Sequence, residues 1–342
     1  MPVGLRGVGK TVLLNRFAEV AQQEGYKVAF IEAPEAGNFP ALLAARLRRI
    51  LLELAHGPVS TAVNAALRVL KSFTLTLPDG TSIRVDPEPF QGRADSGILS
   101  EDVTDLLVAS GEAARSRGTA ILIEVDEVQY LETEELSAAI VAIHRTTQLD
   151  LPVVLVGAGL PQLPGLAGEA KSYAERLFEF PEIGPLTRDE ARDALLVPAE
   201  QEGVQIAPKA LEVMIKRAYG YPYFLQEWGY NTWNAAGENR IEVADVDAAQ
   251  PLVQNSLDNN FFRVRLDRLT PKEKQYLRAM AQLGPGPHRS GDIAAELGVR
   301  VESIAPRRSA LIKKGMIYSP AHGDTAFTVP LFDEFLRRAV NA

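Results

Sequence analysis

The chain has 342 residues, 46% of them hydrophobic and 23% charged, with four histidines and no cysteine. That length allows two or three domains with a sizeable core, and the lack of cysteine excludes disulfides, cysteine-ligated zinc and thiol catalysis together. The net charge of −8 argues against a generally basic, nucleic-acid-coating surface, yet it is uneven: 14 Lys/Arg against 8 Asp/Glu follow residue 262, so an acidic body of −14 carries a basic C-terminal stretch of +6.

No two histidines have metal-ligand spacing. No apolar run reaches the length of a membrane span, and the N-terminus lacks a charged-then-apolar leader. We therefore expect a cytoplasmic chain with no membrane partner.

The first element is a motif. Gly4-Leu5-Arg6-Gly7-Val8-Gly9-Lys10-Thr11-Val12 contains G-x-x-x-x-G-K-[ST], the phosphate-binding loop of nucleoside-triphosphate-binding proteins. Its glycines let the backbone curl so that successive N–H groups point at phosphate oxygens. Lys10 then reaches the β- and γ-phosphates, Thr11 supplies a hydroxyl to Mg²⁺, and the following helix aims its positive end at the same anion.

A helix is expected over 11–23, with Val12, Leu13, Phe17, Val20 and Ala21 as its apolar stripe. Residues 27–32 (KVAFIE) read as a buried parallel strand, and 42–54 as a helix. Residues 72–85 read as a hairpin around Pro78-Asp79-Gly80, 86–97 as a loop and 103–117 as a helix. Then comes 120–127 (AILIEVDE), an apolar strand ending in Asp126 and Glu127. A helix over 136–147 and a third strand over 152–156 follow. Strands alternating with helices predict an α/β fold, a parallel sheet with helices on both faces.

From residue 187 the strands stop. Helices are expected over 187–197, 208–218, 222–234 and 245–258, a small helical lid. Trp228 and Trp233, at helical spacing among Tyr223, Phe224 and Tyr230, read as its core. The last stretch opens with a Thr-Pro-x-Glu capping box at 270–273. Helices over 270–283, 290–297 and 301–314, then strands over 316–318 and 326–329 around His322-Gly323-Asp324, give a winged helix-turn-helix pattern. The expected boundaries are a nucleotide-binding domain over 1–184, the lid over 185–262 and the winged helix-turn-helix over 263–342.

Asp126 and Glu127 complete the chemistry that the loop begins. Triphosphate hydrolysis needs an acid at a strand end to hold Mg²⁺ and a base to orient the attacking water. We assign Asp126 to the metal, with Thr11, and Glu127 to the base. Glu124 interrupts an otherwise apolar run and must face a polar neighbour or a gap between helices.

The loop, the acid pair and the helical lid together resemble AAA+ ATPases, in the branch near archaeal initiator-type proteins and the STAND signalling ATPases. The resemblance implies ATP as the nucleotide. It also implies that the segment Lys171-Ser172-Tyr173-Ala174-Glu175-Arg176-Leu177-Phe178 brings a basic residue, Arg176, toward it. Gly220-Tyr221-Pro222 resembles the Gly-x-Pro element of the lid, so Tyr221 and Pro222 are expected beside the base. Two features of such proteins have no counterpart here. The third strand ends in Gly157-Ala158-Gly159 rather than a polar sensor, and helix 222–234 carries no arginine. Slow hydrolysis is the consequence to expect. Only Met1-Pro2-Val3 precede Gly4, about 10 Å of extended chain, so we also expect the chain to start late relative to its family.

In the C-terminal stretch, Arg300, Arg307, Arg308, Lys313 and Lys314 lie on or beside the helix that would enter a major groove, where basic residues hold phosphates. Double-stranded DNA is one expected partner; a protein partner or self-association is the other. The first reading is an ATP- and Mg²⁺-dependent switch coupled to this module. The alternatives are a regulator that binds nucleotide with negligible hydrolysis and a DNA-binding protein with a vestigial nucleotide site.

Overall fold

The computed structural model describes residues 1–35, 37–56, 60–75, 88–90, 92–237 and 239–340. They form two compact units, Met1–Val3 with Lys10–Glu182, and Gly4–Gly9 with Ile183–Ala342.

In the first unit α1 (Lys10–Gln23) leads to β1 (Lys27–Glu32), α2 (Phe39–Ala55), α3 (Thr61–Leu75), α4 (Leu99–Ser116) and β2 (Ile121–Asp126). A 3-10 turn at Val128–Tyr130 precedes α5 (Thr133–Gln148), β3 (Val153–Gly157), α6 (Leu163–Ala170) and α7 (Ala174–Leu177). The three strands pair in parallel in the order β1-β2-β3. All six residues of β2 are buried, as a central strand covered on both faces requires. Its register pairs Glu32 with Asp126, which brings the acid pair to the carboxyl edge of the sheet, where ligands of open α/β folds bind.

The core of this unit joins Leu43, Leu47 and Leu51 of α2 to Leu70 and Phe73 of α3, Leu106 of α4 and Ile140 of α5. The buried carboxylate of Glu135 serves two helix starts. Its Oε2 accepts the Glu132 N–H at 3.0 Å, and its Oε1 accepts the N–H groups of Asn38 and Phe39 at 3.1 and 3.0 Å. Val3 pairs in parallel bridges with Gly159 and Glu182, beyond the end of β3.

Two expectations fail in this unit. The predicted hairpin at 72–85 begins inside α3, whose last turn holds Ser72–Leu75; residues 76–85 lie outside the described residues. Ser72, Phe73, Thr74 and Leu75 alternate polar and apolar, but Val63, Ala66, Leu67, Leu70 and Phe73 are buried at helical spacing, and that longer periodicity wins. In α1 the buried residues are Lys10, Leu14 and Ala21, whereas Val12 is 68% exposed and Phe17 and Val20 are also exposed. Of the predicted stripe only Ala21 is buried, so most of that side of α1 does not pack into the core.

The second unit begins with α8 (Arg188–Gln201), β4 (Gln205–Ile206), α9 (Pro208–Ala218), α10 (Pro222–Ala235), β5 (Arg240–Ile241) and α11 (Val243–Ser256). A π-helical segment, Leu257–Arg263, carries the chain on into α12 (Val264–Asp267). Then follow α13 (Pro271–Gln282), β6 (His288–Arg289), α14 (Ser290–Glu296), a 3-10 turn at Val301–Ser303, α15 (Ala305–Lys313), β7 (Ile317–Tyr318), β8 (Asp324–Phe327) and α16 (Phe332–Val340). The last three strands pair antiparallel in the order β6-β8-β7.

The helix expected over 301–314 is split, because Pro306 sits in the first turn of α15. Proline has no N–H to donate to the preceding turn, so it starts a helix but cannot continue one. One core runs through the whole unit. The adjacent Phe261 and Phe262 of the π segment are both buried, one edge-on to Phe224 of α10 at 5.5 Å, the other stacked on Phe335 of α16 at 5.1 Å. Trp228 is buried as expected. Trp233 is 40% exposed and lines a cavity of about 600 Å³ with Leu195, Met214, Pro222 and Leu225.

Candidate nucleotide site

The phosphate loop has the backbone its sequence calls for. Gly7 and Gly9 adopt φ of 83° and 93°, which side-chain-bearing residues avoid. Gly4 is required for a different reason: a Cβ there would lie 2.2 Å from the Ile183 carbonyl oxygen. Within the second unit the loop is well tied. The Arg6 N–H donates to the Thr328 carbonyl at 2.9 Å, Arg6 Nε donates to the Gly315 carbonyl at 3.4 Å, and the Tyr223 N–H donates to the Gly7 carbonyl at 3.2 Å. Tyr223 stacks on Phe261 with ring centroids 4.5 Å apart, and Tyr223 Cβ and the edge of the Phe261 ring lie against Gly7.

In the first unit Lys10, buried at the first position of α1, is followed by Thr11, whose hydroxyl donates to Asp126 Oδ2 at 2.5 Å. Asp126 Oδ1 accepts the Glu127 N–H at 2.8 Å. Glu127 itself adopts φ 54° and ψ 39°, a left-handed conformation that costs a non-glycine residue of order 1–3 kcal/mol. Its carboxylate accepts a hydrogen bond from Gln129 Nε2. A hydroxyl and a carboxylate held together at the start of α1 fit Mg²⁺, which keeps several waters and takes few protein oxygens. Among the described residues no cluster of three or more His, Cys, Asp or Glu offers a dedicated metal cage.

Glu124, two residues before Asp126, was expected to face a polar neighbour or a gap between helices. It is fully buried, and neither carboxylate oxygen has a hydrogen-bond partner among the described residues. Burial pushes its carboxyl up to about 7.

The other candidates separate. Arg176 is exposed on α7 and makes no hydrogen bond to Thr11, Asp126 or Glu127. Val12 is exposed, its side chain turned from the core. Tyr221 caps α10, with Pro222 in the first turn, and burial raises its hydroxyl pKa above the usual value. In the C-terminal stretch Arg308 is committed to its own module. Its guanidinium donates to Thr325 Oγ1 at 2.9 Å and to Ser319 Oγ and the Asp324 carbonyl, each at 2.8 Å, which ties α15 to the β7–β8 turn. Lys314 pairs with Glu273 at 2.8 Å. Arg300 and Lys313 are exposed and Arg307 half-buried. Two participants escaped the sequence reading, Gln129 at the acid pair and Thr328 at the loop. No periodicity or spacing marks either, since each acts through a contact distant in sequence.

The parallel sheet and this loop define the class, a phosphate-loop nucleotide-binding α/β fold. A family model described as an AAA domain matches residues 2–163, and one described as a domain of unknown function (DUF8462) matches residues 259–336. No curated protein matches the chain. Among solved structures, the Walker-type ATPase PABY2304 of Pyrococcus abyssi is 16% identical over 98% of this chain and 90% of its own, with a TM-score of 0.57. Cdc6p from Pyrobaculum aerophilum is 17% identical over 99% and 86%, with a TM-score of 0.46. The Thermotoga maritima RuvB Holliday junction branch migration motor is 16% identical over 95% and 83%, with a TM-score of 0.45. The first supports the fold; the other two, below 0.5, add no weight to it. No described helix is long and apolar enough to cross a membrane.

Proposed function

We propose that the chain is a STAND-like AAA+ ATPase, an ATP- and Mg²⁺-dependent switch coupled to a winged-helix module that binds double-stranded DNA. The observation that carries the nucleotide half is the hydrogen bond from Thr11 to Asp126, with Glu127 held beside it. Loop N–H groups and Lys10 bind the phosphates, Thr11 and Asp126 hold Mg²⁺ directly or through water, and Glu127 orients the attacking water. Mg²⁺ held there would neutralise charge on the phosphates. Tyr221 and Pro222 are assigned to the base, and Arg176 to the transition-state charge.

Phosphate release in multiple turnover tests this reading. Glu127→Gln lowers it about 100-fold, the scale of a lost general base, while binding of N-methylanthraniloyl-ATP persists. Equal release by both proteins overturns the enzyme. The absence of a polar side chain in Gly157-Ala158-Gly159 favours the second reading, a nucleotide-binding regulator with negligible turnover. For the DNA half, Arg300, Arg307 and Lys313 are assigned to phosphate contacts, while Arg308 and Lys314 contribute by holding the module together. Helix, turn, helix and an antiparallel ribbon closed by α16 support this assignment.

A further inference from the structure

Gln129 links Glu127 to the end of β3, the place where AAA+ proteins carry a polar sensor and this chain carries none. Its Nε2 donates to Glu127 Oε2, and its Oε1 accepts the Leu160 N–H at 3.0 Å. A backbone N–H can only donate, so Leu160 fixes which end of the amide is oxygen, and the NH₂ end must face the carboxylate. The surroundings are shaped for that amide. A Cβ on Gly159 would lie 2.9 Å from Gln129 Oε1, so a larger residue there would push on the amide. The turn carrying Gln129 is itself pinned to the same segment, because the Val128 N–H donates to the Ala158 carbonyl at 2.9 Å and the Ala158 N–H to the Val125 carbonyl at 2.8 Å. Glu127 is thereby held at both ends, its strained backbone by Asp126 and its carboxylate by Gln129.

We infer that Gln129 is the positioning residue for Glu127. It limits the carboxylate to one rotation about its side chain, so the face presented to water is fixed, and it carries to the site the position of Gly157–Leu160, which has no polar side chain of its own to offer. The inference rests on the hydrolysis reading and deepens it. Both ends of the amide are engaged by the protein, one by the Glu127 carboxylate and the other by the Leu160 N–H, so its effect on the reaction passes through Glu127. That distinguishes it from a residue that merely supports the fold, and the distinction is measurable.

The test compares steady-state phosphate release, the dissociation constant for N-methylanthraniloyl-ATP and the melting temperature across four variants: Gln129→Ala, Gln129→Glu, Glu127→Gln and the double variant Glu127→Gln/Gln129→Ala. Gln129→Glu keeps an acceptor for Leu160 and nearly the same shape, but turns a donor into a like charge against Glu127. We expect kcat to fall about 10- to 100-fold in both Gln129 variants, with the dissociation constant changed less than about twofold. Adding Gln129→Ala to Glu127→Gln should cost nothing more, because the group it acts on has gone. Wild-type turnover with an unchanged kcat in Gln129→Ala and Gln129→Glu overturns the positioning role and leaves the hydrolysis reading standing. A further loss in the double variant also overturns it, by showing an effect independent of Glu127. A wild type that binds the analogue but releases no phosphate overturns the hydrolysis reading itself, and the role of Gln129 with it.

Discussion

Thr11 Oγ1 and Asp126 Oδ2 lie 2.5 Å apart, a hydrogen bond between residues 115 positions apart in the chain. It joins the start of α1 to the end of β2, so the pair proposed to hold Mg²⁺ is assembled by the sheet rather than by local sequence. A hydrogen bond to a charged group contributes about 1.5–3 kcal/mol, a factor of roughly 10–100. Thr11→Val keeps the shape and removes the hydroxyl. In the presence of Mg²⁺ this variant should bind N-methylanthraniloyl-ATP about 10-fold or more weakly, whereas in EDTA the two proteins should bind alike. A loss of the same size in EDTA would show that Thr11 contributes to the loop rather than to the metal.

Arg308 was assigned to DNA by its charge and by its position on α15, yet all three of its hydrogen bonds fall within its own module. Removing it strands Thr325 Oγ1 and loosens the β7–β8 turn. Arg308→Ala should therefore lower the melting temperature by several degrees, on the order of 2 kcal/mol. Arg307→Ala should leave the melting temperature unchanged, weaken binding to a DNA duplex and reduce the salt slope by about one. If Arg307→Ala leaves duplex affinity and its salt slope unchanged, the module docks on protein instead.

These two pairs show what the sequence discloses. The phosphate loop, the acid pair and the alternation of strands with helices were legible because each depends on residue types at short spacing: glycines that accept positive φ, carboxylates closing an apolar run, β-branched runs of strand length. The strand Val153–Gly157, the capping box at Thr270 and the paired strands near the C-terminus follow the same logic. What was illegible depends on partners far along the chain. Ser72–Leu75 could alternate as a strand or turn as a helix, and only the core around Leu70 and Phe73 decides. Glu124 was expected to face a polar neighbour or a gap between helices, and its carboxylate has no hydrogen-bond partner among the described residues. Gln129, Thr328 and Arg308 make contacts set by which groups the fold brings to them, and no spacing rule carries that information.

Arg6 sits in the loop, where the sequence places it beside the phosphates, and its Nε reaches the Gly315 carbonyl at 3.4 Å. That distance makes a weak bond, worth less than about 1 kcal/mol. The main-chain bond to Thr328 survives any side-chain substitution. Arg6→Ala should lower the affinity for N-methylanthraniloyl-ATP about fivefold or more, from the lost charge near phosphate. A lower melting temperature with affinity intact would make Arg6 a structural tie of the second unit and remove it from the nucleotide site.

Glu124 makes the stability of the first unit pH-dependent in a direction opposite to that of most carboxylates. It lies mid-strand in β2, paired in register with Phe30 on one side and Val156 on the other, fully buried. Burial raises its carboxyl from the ordinary 4.5 to about 7. Between those values the folded chain holds a proton that the unfolded chain has released, so stability falls as pH rises. The carboxyl costs least below about 4.5, where both states are protonated. The penalty grows through the interval and levels off above about 7, at on the order of 3 kcal/mol for a shift of this size. Glu124→Leu removes the ionisation and fills the same space with apolar atoms, so the variant should melt several degrees above the wild type at pH 8 and by a smaller margin at pH 5. Thermal unfolding of the two proteins at both pH values measures the gap. A gap that stays constant between pH 5 and pH 8 would show that the carboxyl does not titrate in the folded state over that range.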